Sequence, residues 1–302
     1  MLALIAQSPP GTYDVILSDA EFVQQLNAAG YIEELNAADY PFDDMVHEDF
    51  KKFPGHWKDG KLYSVMVRFG LLGVSYNTKA VSDAEAESYK CFWKPELKGK
   101  VGHFDWHLPN LGQISLYNGN GKNLWNLDKG QWDKVKATAK SLRPQVGGFF
   151  DYGGTFNGLK TGEMLAMAGI GDWITGVLER DGAPVKSMIP KEGGIQFTES
   201  YSIGKGSSKA AIVKKFIQYM LSPEGQVKSA NMAAYPANIV TNKGRKALQD
   251  KNPKEAQRSN QVDGAALDPV KLIKDGRIQY RDIPRQQSLE EWNDFWQEYK
   301  SA

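Results

Sequence analysis

Acidic and aromatic side chains follow two predicted strands of the chain at the points where those strands end. Asp105 and Trp106 come directly after one predicted strand, and Asp172 and Trp173 follow the apolar run Met164–Ile170. Sheets of alternating strands and helices bind ligands beyond the carboxyl ends of their strands. A carboxylate beside an indole ring can pair with an ammonium group and cover its methylene chain. Asp172 is open to a second interpretation, as the N-cap of a following helix.

Charged residues in other predicted extended segments offer two more binding chemistries. Phe197 and Glu199 are two residues apart, so alternation along the segment points both side chains the same way. This pair offers an amine a ring wall and a carboxylate. Arg68 stands between apolar strand residues, and its guanidinium matches a carboxylate bidentately. A site holding both charges would take a zwitterion. The alternative for Arg68 is a structural or surface ion pair. If the chain folds into two lobes, the alternative for Glu199 is a salt bridge between the lobes, at the hinge that joins them.

The sequence motifs of several other chemistries are absent. Gly119–Asn123 is glycine-containing but lacks the spacing and the hydroxyl residue of a phosphate-binding loop. His103 and His107 are four apart, but His103 lies in a predicted strand, so the two need not share a helical face as metal ligands. Neither a nucleophile-elbow motif nor a pair of adjacent tyrosines occurs in the sequence. We therefore expect no enzyme, no metal and no cofactor.

Composition narrows the class of protein further. A chain of 302 residues is longer than one ordinary hydrophobic core can serve, so two lobes are expected. The balance of 37 basic and 36 acidic residues argues against nucleic acid as a partner. Cys91 is the single cysteine and is expected to be a small buried hydrophobe. No apolar run is long enough for a membrane span, which takes roughly 18 residues. Met1–Gln7 lacks the basic start of a signal peptide.

Hydrophobic periodicity predicts an α/β chain. Apolar spacing and turn residues mark the element boundaries, with Gly30 ending one helix, Gly70 breaking two strands and Pro223 starting a helix. The last helix carries aromatic residues at 292, 295, 296 and 299, a stripe expected to dock onto the body. The predicted strands are Tyr13–Leu17, Leu62–Val67, Leu71–Tyr76, Lys98–Phe104 and Met164–Ile170, and the predicted helices are Ala20–Ala29, Asp128–Leu142, Trp173–Arg180, Ala210–Leu221 and Ser288–Ala302.

Six segments in a fixed order resemble one known family. They are Tyr13-Asp14-Val15, Gly70–Asn77, Phe92–Lys100, Ile189–Gly194 with Glu199-Ser200, Ala210–Leu221 with Ser222-Pro223-Glu224, and Tyr235–Asn238. Together they resemble the extracellular solute-binding proteins of the spermidine/putrescine type, which have the type II periplasmic binding protein fold. The resemblance runs from residue 13 to about residue 240. It is carried by the set of segments rather than by any one of them.

The resemblance implies an α/β fold of two lobes, each with a mixed, mostly parallel sheet flanked by helices. The expected first lobe is 1–76 with 201–245, the second lobe is 79–198, and 246–302 forms a C-terminal helical tail packing on the lobes. In the family a strand, a helix and another strand come before the Tyr13-Asp14-Val15 segment. We therefore expect the first strand to be missing and the edge of a neighbouring strand to be unpaired.

The resemblance also implies further ligand-binding residues. Tyr235, Phe69 and Gln279 match ligand-side positions of the family and join the residues named above. Of the acids that polyamine binders carry after the strand that ends at Phe104, only Asp105 is present. The missing acid weakens the case for a diamine, because a second ammonium group would lack its charge partner.

The function implied is that of the solute-binding subunit of an ABC importer. It would capture a polyamine or related small amine in the cleft between the lobes and deliver it to a membrane permease, without catalysis. One alternative keeps this role for a zwitterionic ligand similar to 4-aminobutyrate. An alternative of another class is an enzyme that modifies a small molecule. A periplasmic location and a monomer are expected.

Overall fold

The computed structural model describes residues 2–302, which divide into two compact units. Unit 1 consists of the residues up to Phe69 and of Phe197–Val270, and unit 2 consists of Gly70–Gln196 and Lys271–Ala302. This division differs from the expected one. Residues 70–76, expected in the first lobe, belong to unit 2, and residues 197 and 198, expected in the second lobe, belong to unit 1. Residues 246–270 belong to unit 1 and residues 271–302 to unit 2, because each segment packs into the core of its own unit instead of forming a separate tail.

The strands and helices follow in chain order. The strands are β1 Val15–Asp19, β2 Trp57–Lys58, β3 Lys61–Leu62, β4 Val65–Leu72, β5 Val74–Asn77, β6 Val101–Phe104, β7 Val146–Phe150, β8 Ala166–Ala168, β9 Val185–Met188, β10 Gly194–Ile203 and β11 Ile278–Tyr280. The helices are α1 Leu2–Ala6, α2 Val23–Ala28, α3 Glu48–Lys51, α4 Asp83–Ala86, α5 His107–Tyr117, α6 Lys129–Leu142, α7 Tyr152–Thr161, α8 Asp172–Arg180, α9 Ala210–Leu221, α10 Pro223–Ala230, α11 Asn242–Lys251, α12 Pro253–Arg258, α13 Pro269–Lys274 and α14 Leu289–Ser301.

Strand β10 organises the sheet of unit 1. It pairs antiparallel with β1, from Val15 opposite Ile203 to Asp19 opposite Glu199, and it also pairs with β4. Strand β1 lies at the end of this sheet. Because β4 and β10 are neighbours, side chains on the same face of the two strands can meet although they are far apart in sequence.

The chain breaks its extended course at Gly73, and the break predicted at Gly70 is wrong. Strand β4 runs through Gly70 to Leu72, and β5 begins at Val74. A Cβ at position 73 would lie 2.1 Å from the carbonyl oxygen of Met188. Only glycine therefore allows the two backbones to approach there.

Buried polar side chains fix the segments that flank β4 in unit 1. The Nε2 of Gln226, on α10, donates to the carbonyl oxygen of Val67 at 3.0 Å, while its Oε1 accepts from the amide of Val240 at 2.7 Å. The amide of Asn238 donates to the carbonyl oxygen of Phe69 at 2.9 Å. These bonds hold α10 and the following loop against the backbone on both sides of residue 68.

Unit 2 contains a five-stranded mixed sheet in the order β7-β6-β8-β5-β9. Strand β6 is parallel to both of its neighbours, whereas β5 is antiparallel to β8 and β9. The sheet is therefore mixed, as expected, but it is not mostly parallel, because its parallel and antiparallel pairings are equal in number.

Helix α14 completes the core of unit 2, as the aromatic stripe predicted. Trp292, Phe295, Trp296 and Tyr299 are all buried. The ring of Trp292 stacks on Trp132 with centroids 5.0 Å apart and planes 9° apart. Cys91 is buried as predicted, and burial raises the pKa of its thiol to about 12. Within residues 2–302, no helix combines the length and the apolar character that crossing a membrane requires.

Candidate functional site

Two opposite charges meet on adjacent strands of unit 1. Arg68 projects from β4 and Glu199 from β10, and the Nε of Arg68 donates to the Oε2 of Glu199 in an ion pair. The side chains of Arg68 and Glu199 are 11% and 15% exposed. The two residues are far apart in sequence, and the pairing of β4 with β10 brings them together.

The aromatic residue Tyr235 touches both members of this pair. The guanidinium carbon of Arg68 lies 4.2 Å from the centre of the Tyr235 ring, a cation–π distance. The hydroxyl of Tyr235 donates to the Oε1 of Glu199 at 3.3 Å. Phe197 stacks parallel to Tyr235, with centroids 6.2 Å apart and planes 8° apart. We call Arg68, Phe197, Glu199 and Tyr235 the charge cluster. It contains both groups that attract an organic cation, a carboxylate and a ring face.

The alternation along β4 and β10 accounts for which side chains join the charge cluster. Phe197 and Glu199 both contact Tyr235, so they share one side of β10, as their spacing predicts. Phe69 is adjacent to Arg68 and points away from it. Its ring is fully buried and meets Phe50 edge-on, with centroids 5.2 Å apart. The side chain of Phe69 therefore packs in the core of unit 1, and its ligand contact stays a prediction.

Burial and neighbouring charges oppose each other at Glu199. Burial raises the pKa of its carboxyl group, and the charge and hydrogen bond of Arg68 lower it. Asp19, opposite Glu199 in the sheet, raises the pKa again, while the hydroxyl of Tyr235 lowers it, and the net shift is upward. A neighbouring cation therefore stabilises the charged form of the Glu199 carboxyl group, and Arg68 supplies that cation.

The predicted acid of unit 2, Asp105, is bonded to helix α14. Its Oδ1 accepts from the Nε1 of Trp296 at 2.8 Å, and its Oδ2 pairs with the ammonium group of Lys300. These contacts give Asp105 a structural role at the carboxyl end of β6. The adjacent Trp106 carries the guanidinium of Arg281 over its ring, at 4.4 Å from the centroid. Both residues, which were predicted to contact the ligand, therefore already have partners within unit 2.

An aromatic group surrounds Trp173 in unit 2. Trp173 is almost fully buried, and its ring lies 5.6 Å from Tyr152 and 5.5 Å from Phe156 between centroids. Tyr152, which is 52% exposed, also contacts Phe104 at 4.6 Å. Sequence reasoning missed Tyr152, although Asp151 before it is a recognisable N-cap that would have placed the tyrosine at the start of a helix.

Asp172 and Gln279 lie in regular secondary structure of unit 2. Asp172 is the first residue of α8, and the N-cap is Gly171, so the capping interpretation of Asp172 is wrong. A Cβ at position 171 would lie 2.1 Å from the carbonyl oxygen of Leu71, which explains the glycine at the cap. Gln279 pairs with Ile195 where β11 runs parallel to β10. Of the ten predicted binding residues, four therefore meet in the charge cluster.

Residues 2–302 contain no group of three or more His, Cys, Asp and Glu side chains placed to hold a metal ion. His103 is buried and bonded through both ring nitrogens, to Asn110 at 2.6 Å and to Tyr299 at 3.1 Å. These bonds give each nitrogen of the His103 ring a partner, and the ring packs inside unit 2.

Comparison with known proteins gives one family and several related folds. A family model described as bacterial extracellular solute-binding protein matches residues 1–256. Spermidine/putrescine-binding periplasmic protein 1 of Haemophilus influenzae is 24% identical over 301 residues, which cover 99% of this chain and 78% of that protein. The spermidine/putrescine-binding periplasmic protein of Escherichia coli is 24% identical over 249 residues, 80% of this chain and 68% of that protein.

Solved structures share the fold at lower identity. The spermidine/putrescine ABC transporter substrate-binding protein PotD from Streptococcus pneumoniae matches with a TM-score of 0.78 at 16% identity, over 100% of this chain and 87% of that chain. A solved GABA receptor matches with a TM-score of 0.68 at 18% identity, over 94% of this chain and 81% of that chain. At these identities the likeness establishes the fold.

Proposed function

Because this chain belongs to the bacterial extracellular solute-binding proteins, we propose that it is the solute-binding subunit of an ABC importer for a small amine-bearing molecule. In this role it binds the solute in the periplasm, releases it to a membrane permease and catalyses no reaction. The observation that carries the proposal is the charge cluster, in which a buried carboxylate stands beside two aromatic rings. Carboxylates and ring faces are the groups that bind organic ammonium ions.

Polyamines are the first ligand class to consider, because they are the ligands in the names of the curated relatives. Glu199 can pair with one ammonium group, and the rings of Phe197 and Tyr235 can cover methylene groups. Asp105, the one acid present after the strand that ends at Phe104, is bonded to Trp296 and Lys300.

A zwitterionic ligand similar to 4-aminobutyrate is the second candidate, and Arg68 is the observation that favours it. A guanidinium within the charge cluster can pair with a ligand carboxylate bidentately. The name of one structural neighbour, a GABA receptor, supports the same class.

Calorimetric titration tests the proposed function. The wild-type protein is titrated with spermidine, putrescine and 4-aminobutyrate, and the variant Glu199→Gln is titrated with the ligand that binds. We expect saturable binding without turnover, and a loss of affinity of about tenfold or more in the variant, because the amide cannot balance an ammonium charge. Glu163→Gln, which removes an exposed carboxylate of unit 2, is the matched control and is expected to bind normally.

Two results would contradict the proposal. Chemical conversion of the bound molecule would exclude a pure binding subunit. Equal affinity of the wild-type protein and Glu199→Gln would remove the charge cluster from the binding site.

A further inference from the structure

The guanidinium of Arg68 makes the contacts that an amine ligand would need in the charge cluster. It pairs with the Oε2 of Glu199 and stacks on the ring of Tyr235 at 4.2 Å. Its Nη1 also donates to the carbonyl oxygen of Tyr235 at 3.5 Å and to the sulfur of Met232 at 3.6 Å. The side chain therefore satisfies the carboxylate and the ring in the manner of a bound cation.

We propose that Arg68 is a built-in competitor of amine ligands, and that it makes the charge cluster selective for zwitterions with both an ammonium and a carboxylate group over simple diamines. This inference rests on the proposed function and names the ligand class of the same site.

Charge balance is the first step of the argument. A diamine that takes Glu199 displaces Arg68 from its ion pair and adds two positive charges beside the guanidinium, where the nearby carboxylates are Glu199 and Asp19 of β1. The displaced guanidinium then loses its ion pair with Glu199 while largely removed from water, which is unfavourable for a charge. A zwitterion leaves no such deficit, since its ammonium group pairs with Glu199 and its carboxylate pairs with Arg68.

The hydrogen bonds of Glu199 permit this exchange of partners. Its two oxygens have different donors, because Oε1 accepts from the hydroxyl of Tyr235 and Oε2 accepts from Arg68. Only the second bond has to open for a ligand amine. The tyrosine bond keeps the carboxylate oriented during the exchange.

The surrounding backbone does not depend on the ion pair. Bonds from Gln226 to the carbonyl oxygen of Val67 and from Asn238 to that of Phe69 hold the neighbouring residues of β4 in place. Strand pairing of β4 with β10 adds to this framework. Arg68 can therefore change its partner by rotating its side chain, without a shift of the strand.

The first experiment asks whether Arg68 occupies a cation subsite, and it needs no knowledge of the natural ligand. In Arg68→Ala, ethylguanidinium added to the solution can fill the space of the lost side chain and pair with Glu199. We expect it to raise the melting temperature of Arg68→Ala and to leave that of the wild-type protein unchanged. The double variant Arg68→Ala/Glu199→Gln is expected to show no rise. A rise of equal size in all three proteins, or in none, would overturn the inference.

The second experiment measures selectivity with ligands of matched length. Calorimetry compares putrescine with 4-aminobutyrate, which have the same four-carbon chain. We expect the wild-type protein to bind 4-aminobutyrate about tenfold more tightly or better, because the diamine leaves a buried charge unpaired, and Arg68→Met to reverse the order. Lys228→Met, which removes an exposed cation of the same unit, is the control and is expected to keep the wild-type order.

The outcomes separate this inference from the proposed function. Tighter binding of putrescine by the wild-type protein, or equal weakening of both ligands in Arg68→Met, would overturn the competitor role and leave a solute-binding subunit. If no amine binds to the wild-type protein, the proposed function fails, and the ethylguanidinium result still decides whether Arg68 occupies a cation subsite.

Discussion

Acid is expected to weaken unit 2 through one buried histidine. His103 lies on β6 with no exposed surface, bonded to Asn110 and Tyr299, and its ring stacks on Phe149 with centroids 5.4 Å apart. Burial lowers the pKa of His103 from 6.5 to about 4, because a charged ring is costly in these surroundings. The folded protein therefore keeps this ring neutral at pH values where an unfolded chain would protonate it.

The sign and size of the effect follow from this difference in pKa. Between pH 6.5 and pH 4 the unfolded chain binds the proton and the folded chain does not, so the free energy of unfolding falls as the pH falls. The contribution of the neutral His103 ring to the free energy of unfolding is fully present above pH 6.5. Each pH unit between the two pKa values is worth about 1.4 kcal/mol. The depression from 6.5 to about 4 therefore corresponds to a loss of about 3 kcal/mol by pH 4.

Urea unfolding at pH 7.5 and pH 4.0, followed by tryptophan fluorescence, measures this loss. Seven of the eight tryptophans lie in unit 2, so the signal reports mainly on that unit. His103→Gln removes the ionisable ring and keeps groups that can bond to Asn110 and Tyr299. We expect this variant to lose about 3 kcal/mol less than the wild-type protein between the two pH values.

The variant Tyr299→Phe is the control, because it removes a hydrogen-bond partner of His103 without removing the ring. It is expected to lower stability at both pH values while keeping the wild-type difference between them. If His103→Gln and the wild-type protein lose the same free energy on acidification, the reasoning about the buried ring is refuted.

Two predictions concern packing in unit 2. Trp292→Ala is expected to cost about 3–5 kcal/mol in urea unfolding, because it removes a fully buried ring that stacks on Trp132. Trp292→Phe is expected to cost clearly less, and equal losses would show that the ring volume is unimportant. Gly73→Ala is expected to cost about 2 kcal/mol or more, since its Cβ would run into the carbonyl oxygen of Met188. Gly130→Ala, with room for a Cβ at the start of α6, is the comparison and is expected to be neutral or slightly stabilising.

Local signals in the sequence predicted several elements to the residue. Helix α9 spans Ala210–Leu221 as its apolar spacing indicates, and α10 begins at Pro223 with Ser222 as its cap. Gly30 adopts a positive φ of 73° after α2, as a helix-ending glycine does. Each of these boundaries is decided by residues within a few positions, which is why the sequence alone was enough.

The boundaries that depend on distant contacts could not be predicted in this way. Gly70 looked like a strand break, but the decisive contact is between Gly73 and Met188, more than a hundred residues later. The assignment of 246–270 to one unit and 271–302 to the other likewise depends on which core each segment joins.

The candidate site shows the same division. The alternation of Phe197 and Glu199 was visible in the sequence, because it concerns one strand. The ion pair of Glu199 with Arg68 depends on the pairing of β4 with β10, and that of Asp105 with Lys300 depends on where α14 docks. In the sequence, Glu199 and Asp105 looked available to a ligand. In the structure, each is paired with a residue more than a hundred positions away.

The order of the segments in the two units has a consequence for folding during synthesis. A ribosome makes the chain from the N-terminus, and unit 1 receives Phe197–Val270 only after most of unit 2 has been synthesised. Unit 2 in turn waits for α14 before Trp132 and His103 are covered. The core of unit 1 cannot close before Phe197–Val270 emerges, and that of unit 2 cannot close before α14 emerges, so aromatic surface of unit 2 stays uncovered until α14 has been added.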